Sequence, residues 1–246
     1  TAYSYDALGR QVSTTDPLGN TTTTTYDALG RVTATTDALG RTTTSTYDVL
    51  GRLVTRTNPA GGVTEYTYDA VGNQLTVIDP KGHTTTMSYD ALNRPVAVTD
   101  PNGQTTTTTY NAAGSVVSTT DALGETTQFS YDAAGRQTAV TDPLGNTTGY
   151  SYDAAGNRIE VVDADGVVTR YEYDGLNRLT TVVENYRPGF TADHETNVRT
   201  ESTYDAAGNR LTIKDARDNV TSFSYNELNQ LVSESDPLGN TWTYAY

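Results

Sequence analysis

The chain has 246 residues, a formal net charge of −14 and no cysteine, and 35% of its residues are hydrophobic. The acidity argues against nucleic acid or an anionic membrane as partner, because both demand a basic face. The lack of cysteine excludes disulfides and thiolate chemistry. Apolar content lies below the roughly 45–50% usual for globular chains. Thr and Tyr stand where a conventional core would carry Leu and Ile.

From Tyr5 the elements follow in the order turn, strand, turn, strand. Asp6-Ala7-Leu8-Gly9 is a turn, in which Asp caps its own backbone and Gly accepts a positive φ. Arg10 to Asp16 is a strand with period two, Val12 and Thr14 on one face and the residues between them on the other. Asp16-Pro17-Leu18-Gly19 is a reverse turn with Pro at its second position and Gly at its fourth. Asn20 to Tyr26 is the second strand. Helix is excluded throughout by the recurring Gly, Pro and β-branched residues.

The pattern then repeats. Tyr5, Tyr26, Tyr47, Tyr68, Tyr89, Tyr110, Tyr131, Tyr152 and Tyr173 lie 21 residues apart, and the series resumes at Tyr204, Tyr225 and Tyr246. Asp follows as Asp6, Asp27, Asp48, Asp69, Asp90, Asp132, Asp153, Asp174 and Asp205, replaced by Asn at 111 and 226. The turn glycine is Gly9, Gly30, Gly51, Gly72, Gly114, Gly135, Gly156 and Gly208, with Asn93, Asn177 and Asn229 elsewhere. Asn tolerates left-handed backbone angles best after Gly. Asp218 fills the corresponding place in one second turn and meets the demand less well. A fixed period of this kind signals a repeat architecture. The sequence therefore predicts an all-β fold of tandem 21-residue β-hairpin repeats, with residues 1–246 as a single continuous array taken from a longer chain.

One interruption breaks the period, since Tyr173 and Tyr204 are 31 residues apart. The extra residues fall at about 184–201, and Asn185-Tyr186-Arg187-Pro188-Gly189-Phe190 and His194 occupy the place of a turn. The segment reads as an extended hairpin tip, or as a loop on a binding face.

The string Tyr-Asp-x-x-Gly-Arg-(Leu/Val), then Asp-Pro-x-Gly and a Thr-rich strand ending in Tyr-x-Tyr-Asp, closely resembles the YD repeat. Tyr68 to Leu75 and Tyr204 to Leu211 are close matches. That repeat belongs to bacterial Rhs (rearrangement hotspot) proteins, the Tc toxin cocoon and the teneurin shell. The resemblance implies a spiralling sheet of hairpins, a solenoid or hollow shell. It also implies a secreted or cell-surface protein that encloses a toxin, as in the bacterial members, or serves adhesion, as in teneurins.

Residues with chemical potential all fall on repeat positions. Asp16, Asp142 and Asp236 carry the Asp-Pro-x-Gly string, which the bacterial shells resembled here use to cleave off a toxin. In this chain the string recurs at a fixed offset, where it serves as a turn. Asp163-Ala164-Asp165-Gly166 looks like a piece of a calcium loop but lacks the late bidentate Glu. His83 and His194 are the sole histidines, too few for a zinc site without cysteine. No Gly-x-Ser-x-Gly is present. The tyrosine column reads either as a sugar platform or, better, as an aromatic ladder between adjacent hairpins. The sequence thus predicts no catalytic, metal or cofactor site and no enzyme. Its expected partners are neighbouring repeats or copies of itself and an enclosed toxin domain, with no nucleic acid and no membrane insertion. The competing expectation is an adhesin or filament module without cargo.

Overall fold

The computed structural model describes residues 1–193 and 195–246, so His194 lies outside the described residues. Every described regular element is a β-strand. The chain divides into two compact parts, one of residues 1–109 with 119–125 and the other of 110–118 with 126–246. In the first, β1 (Ala2–Tyr5), β2 (Gln11–Thr15), β3 (Thr21–Tyr26), β4 (Val32–Thr36) and β5 (Thr42–Tyr47) pair antiparallel in chain order. The second follows the same rule, for example from Thr126–Tyr131 to Gln137–Thr141 to Thr147–Tyr152.

The accessible surface is 15566 Å². A globular chain of the same mass would expose about 10,600 Å². The excess follows from strands with no second layer packed on them. Among the described residues only Thr181 and Val183 are buried.

Each sheet face has its own chemistry. Tyr3 lies opposite Thr14, Tyr150 opposite Val161 and Tyr171 opposite Val182, so the repeat tyrosine, the aromatic two residues before it and the apolar residue nine after it share a face. Aromatic and β-branched cross-strand pairs of this kind contribute roughly 0.2–1 kcal/mol each. The opposite face carries hydroxyl pairs. Ser4 and Ser13, Thr46 and Thr55, and Thr67 and Thr76 meet at 2.6 Å, and Thr15 and Thr21 at 2.8 Å.

At Tyr5 and most other repeat tyrosines the register slips. Ser4 faces Ser13, yet Tyr5 faces Gln11, so two residues of β2 oppose one of β1. The same bulge recurs at Tyr26, Tyr47, Tyr68, Tyr89, Tyr131, Tyr152, Tyr173, Tyr204 and Tyr225. A bulge bends its strand and ends regular pairing. The ladder on the other side of the bulged strand accordingly stops early: β2 and β3 register only at Ser13–Thr23, Thr14–Thr22 and Thr15–Thr21.

The interruption of the period is a folded loop. Strand Leu179–Glu184 pairs with Val198–Tyr204 with Glu184 opposite Val198, so the connection runs over residues 185–197. The Tyr186 amide donates to the Val168 carbonyl at 2.7 Å, and Arg170 stacks on the Tyr186 ring at 3.9 Å. Asn197 ties the loop together, accepting from the Arg187 amide and donating to the carbonyls of Arg187 and Phe190. Arg170, Thr181 and Val183 belong to the hydroxyl face, and the loop folds over that face. Its covering explains why the two buried residues are there.

The turns share one geometry. Gly19 donates to the Asp16 carbonyl at 3.1 Å and Asp16 donates to the Asn20 carbonyl at 3.0 Å, with Gly19 at φ 87°. This is a type I turn closed by a left-handed residue. Asn93, Asn177 and Asn229 take φ of 61°, 60° and 60° in the same role, and Asp218 takes 63°. Gly40 at φ +77° has nothing within 4 Å of a built Cβ, so a substitution there tests backbone conformation alone. Gly40→Ala is expected to cost roughly 1–2 kcal/mol, and Gly40→Asn clearly less, measured by thermal unfolding.

Candidate functional site: the turn-to-turn clamp

Within each part the residues singled out by the repeat lie at one rim of the strands, where the Tyr-Asp turns are side by side. Asp6 Oδ1 accepts from the amides of Leu8 and Arg10 at 2.9 and 3.0 Å, and its Oδ2 accepts from Arg10 Nε at 2.7 Å. Asp27 and Asp48 do the same with Leu29 and Arg31, and with Leu50 and Arg52. A carboxylate held by several donors is favoured in its charged form. The Arg10 backbone amide, with the Arg10 side chain and the Leu8 amide, holds the Asp6 carboxyl below its usual value of 3.8. The same donors, residue for residue, lower Asp27 and Asp48.

The arginine also reaches the next repeat. Arg10 Nη1 donates to the Asp27 carbonyl at 3.1 Å, and the guanidinium lies 4.7 Å from the Tyr26 ring centroid. Tyr26 in turn donates its hydroxyl to the Gln11 carbonyl at 2.8 Å. Gln11 is the bulge residue, so the tyrosine serves a carbonyl in the segment where the β2–β3 ladder has ended. Arg31 with Tyr47 and Asp48, Arg52 with Tyr68 and Asp69, and Arg136 with Tyr152 and Asp153 repeat the arrangement. The clamp survives the interruption. Arg178 Nη1 donates to the Asp205 carbonyl at 2.7 Å and stacks on Tyr204, whose hydroxyl reaches the Leu179 carbonyl.

Tyr89, Tyr173 and Tyr225 make the hydroxyl bond as well, to the carbonyls of Gln74, Arg158 and Arg210. Tyr5 ends β1, Tyr131 ends strand Thr126–Tyr131 and Tyr110 ends strand Thr105–Tyr110. Asp69, Asp153 and Asp205 hold the amide and side chain of an Asn in place of Arg. Asp90, Asp132 and Asp174 each hold an Arg. Gly9, Gly30, Gly51, Gly72, Gly114, Gly135, Gly156 and Gly208 each donate to the carbonyl of the Asp or Asn three residues earlier. Sequence reasoning placed the Asp and Gly on turns and the Tyr at strand ends but did not assign the arginine. The rings of Tyr26, Tyr47, Tyr68, Tyr152 and Tyr204 meet the guanidinium of the preceding repeat, a partner beyond the expected aromatic ladder.

The opposite rim is different. Asp37 and Arg41 form the same pair within their turn at 2.6 Å, yet the Arg41 side chain is 63% exposed against 26% for Arg31. Among the described residues no tyrosine ring stacks on it. Asp16, Asp142 and Asp236 each hold two amides and the side chain of an Asn. Asp163 accepts from the amides of Asp165 and Val167, the ordinary turn bonds. His83 Nδ1 lies 2.9 Å from Asp79 Oδ2 with its side chain 56% exposed.

The teneurin YD-shell family profile matches residues 2–197, and the RHS repeat profile matches 204–241. The chain belongs to the teneurin YD-shell family. A comparison with curated protein sequences gave no match. The YD-shell fold is also found in solved structures. The TcdB2-TccC3-TEV crystal structure is 21% identical with a TM-score of 0.71, covering 94% of this chain and 14% of the other. The TcdB2-TccC3 crystal structure is 20% identical, also at 0.71, over 95% and 14%. The Photorhabdus luminescens Tc holotoxin pore is 18% identical with a TM-score of 0.53, over 95% and 15%. This YD-shell stretch therefore spans about one seventh of the chains it matches.

Three outcomes are expected from the clamp. Tyr68→Phe keeps the ring and removes the hydroxyl donor, leaving the Leu53 carbonyl without it. The loss should be about 1 kcal/mol, read as a Tm drop of about 2–4 °C. A lowered carboxylate value means stability that is complete above 3.8 and is lost as pH falls through the folded-state values. Tm should thus stay level from neutral pH down towards 4 and then fall. Asn58 already occupies an Asp position, accepting from the Ala60 and Gly62 amides. Asp48→Asn should therefore preserve the turn at neutral pH and reduce the acid-dependent loss.

Proposed function

We propose that the chain is a stretch of non-catalytic wall in a large secreted or surface-exposed bacterial YD-repeat protein, and that the wall encloses or presents a toxin or effector. The observation that carries this reading is that the repeat aspartates are occupied by turn amides and by the Arg or Asn beside them. A carboxylate so held is poorly placed to act as a base or nucleophile. The family match and the likeness to the TcdB2-TccC3 fold support a shell segment. The exposed surface of a single layer fits a wall that meets further material of the same long protein on its faces. Residues 1–246 form one continuous array in this reading, with residues 185–197 as a local elaboration. The partners are adjoining repeats, further copies and the cargo.

The exposed leucines at the turn tips, Leu8, Leu29 and Leu50 at one rim and Leu18 and Leu39 at the other, form rows suited to a neighbouring turn of the wall. The same rows, together with the uniform repeat length, favour a second reading as a filament or adhesin without cargo. Electron microscopy of the intact natural protein separates the two. A closed hollow particle with density inside is the expected result. A long uniform fibre would replace the container by a filament.

A further inference from the structure

The clamp occurs in two forms. Five residues after the repeat tyrosine stands Arg in one form, such as Arg31 or Arg178, and Asn in the other, as Asn73, Asn157 or Asn209. The turn of the next repeat differs in step. Where the first residue is Arg, the left-handed turn position of the following repeat is Gly, as in Arg31 with Gly51 and Arg178 with Gly208. Where it is Asn, that position is also Asn: Asn73 with Asn93, Asn157 with Asn177, and Asn209 with Asn229.

The geometry bears on the pairing. A Cβ built on Gly51 lies 3.6 Å from Arg31 Nη1 and one on Gly30 lies 3.8 Å from Arg10 Nη1, whereas at Gly72, Gly156 and Gly208 nothing lies within 4 Å. At Gly30 and Gly51 the amide group of an asparagine would extend beyond that contact towards the guanidinium that bonds the Asp carbonyl. In the other form, Asn157 Nδ2 donates to its own Asp153 at 2.9 Å and to Asn177 Oδ1 at 2.8 Å. Asn73 with Asn93 and Asn209 with Asn229 do likewise at 2.9 Å. Glycine in place of Asn177 would remove that acceptor.

We propose that these two positions form a neighbour code, Arg with Gly or Asn with Asn, by which a repeat of one form accepts a matching successor and rejects one of the other form; Ser115 with Gly135 carries neither form. The need for one is physical. The repeats share strand length, bulge and turn geometry, so a hairpin displaced by one whole repeat would find equivalent backbone partners and the same faces. Identical neighbours in an array invite such mispairing and swapping. The code opposes it. Omitting the repeat that begins at Tyr68 would set Arg52 against Asn93. Omitting the one at Tyr152 would set Arg136 against Asn177, and omitting the one at Tyr204 would set Arg178 against Asn229. These slips produce mismatched pairs, whereas omitting the repeat at Tyr26 or Tyr47 would leave Arg10 against Gly51 or Arg31 against Gly72, so the code acts where the two forms adjoin. The partner that fits a given rim position is thus a YD turn of matching letter, in the same chain or in a second copy.

A double-mutant cycle in the full chain tests the code. Asn157→Arg alone is expected to lower Tm by about 2–4 °C, because the guanidinium meets Asn177, and Asn177→Gly alone to lower it through the lost acceptor. Asn157→Arg together with Asn177→Gly converts the pair to the other form and should recover most of the loss. A double variant whose loss equals the sum of the two singles would overturn the proposal. Should Asn157→Arg fail to fold, Arg31→Asn is made with and without Gly51→Asn. Rescue by the second substitution supports the code, and the absence of rescue in that pair refutes it.

Discussion

The bulge that recurs opposite the repeat tyrosines, as at Tyr5 and Tyr26, is the constraint on which the rest depends. By putting two residues against one, it diverts the strand and ends its ladder to the following strand, as between β2 and β3. Backbone carbonyls in that segment still need donors. The tyrosine of the next repeat supplies one, its hydroxyl reaching the Gln11 carbonyl from Tyr26 and the Leu53 carbonyl from Tyr68. Its ring then forms the floor for the preceding arginine, which bonds the next turn's carbonyl. Asp6 and Arg10 of one repeat and Tyr26 and Asp27 of the next are thus parts of one joint between successive repeats. Phenylalanine would supply the floor without the donor, and lysine would lack the planar fork that lets Arg52 hold Asp48 and the Asp69 carbonyl together.

A single layer of strands cannot rely on a core. Stability is spread over nearest-neighbour contacts, as in other repeat proteins. Apolar pairs on the tyrosine face and hydroxyl pairs on the other each contribute little, and cation–π stacking at half-exposed sites adds about 0.5–1 kcal/mol per clamp. The two rims are held unequally. At the Tyr-Asp rim successive turns are bonded to one another, whereas at the Asp-Pro rim the Asp16, Asp37 and Asp142 side chains bond within their own turns. An array built this way can lengthen by adding joints, a property that suits a wall.

Much of the fold was legible in the sequence because its turn and strand positions carry side chains with strong local preferences. Asp6 and Gly9, or Asp16, Pro17 and Gly19, state the turns outright, and the alternation around Val12 and Thr14 states the faces. The bulge left no such mark, since the acceptor it leaves for tyrosine is a backbone carbonyl whose side chain is Gln11 in one repeat and Leu53 in another. Arg10 was readable as a strand-start residue but not as a bridge, because its partners lie in the next repeat. The signal that could have exposed the joint is the matched change of Asn73 with Asn93 and Asn157 with Asn177. The loop at 185–197 was placed by the broken period, while its folding over the hydroxyl face depends on Arg170 and Asn197 contacts that spacing does not encode.

The measurement that bears most directly on the joint is amide hydrogen exchange, followed by mass spectrometry, in the wild-type chain and in Arg52→Ala. Arg52 belongs to the turn at 48–52 and bonds the turn at 69–73, whereas the turn at 58–62 lies at the other rim. The account predicts faster exchange at 69–73, in which the backbone bonds of Asp69 with Asn73 and Gly72 are otherwise intact, and unchanged exchange at 58–62. Exchange at 69–73 that does not respond, or that rises no more than at 58–62, would show that the arginine does not join the repeats.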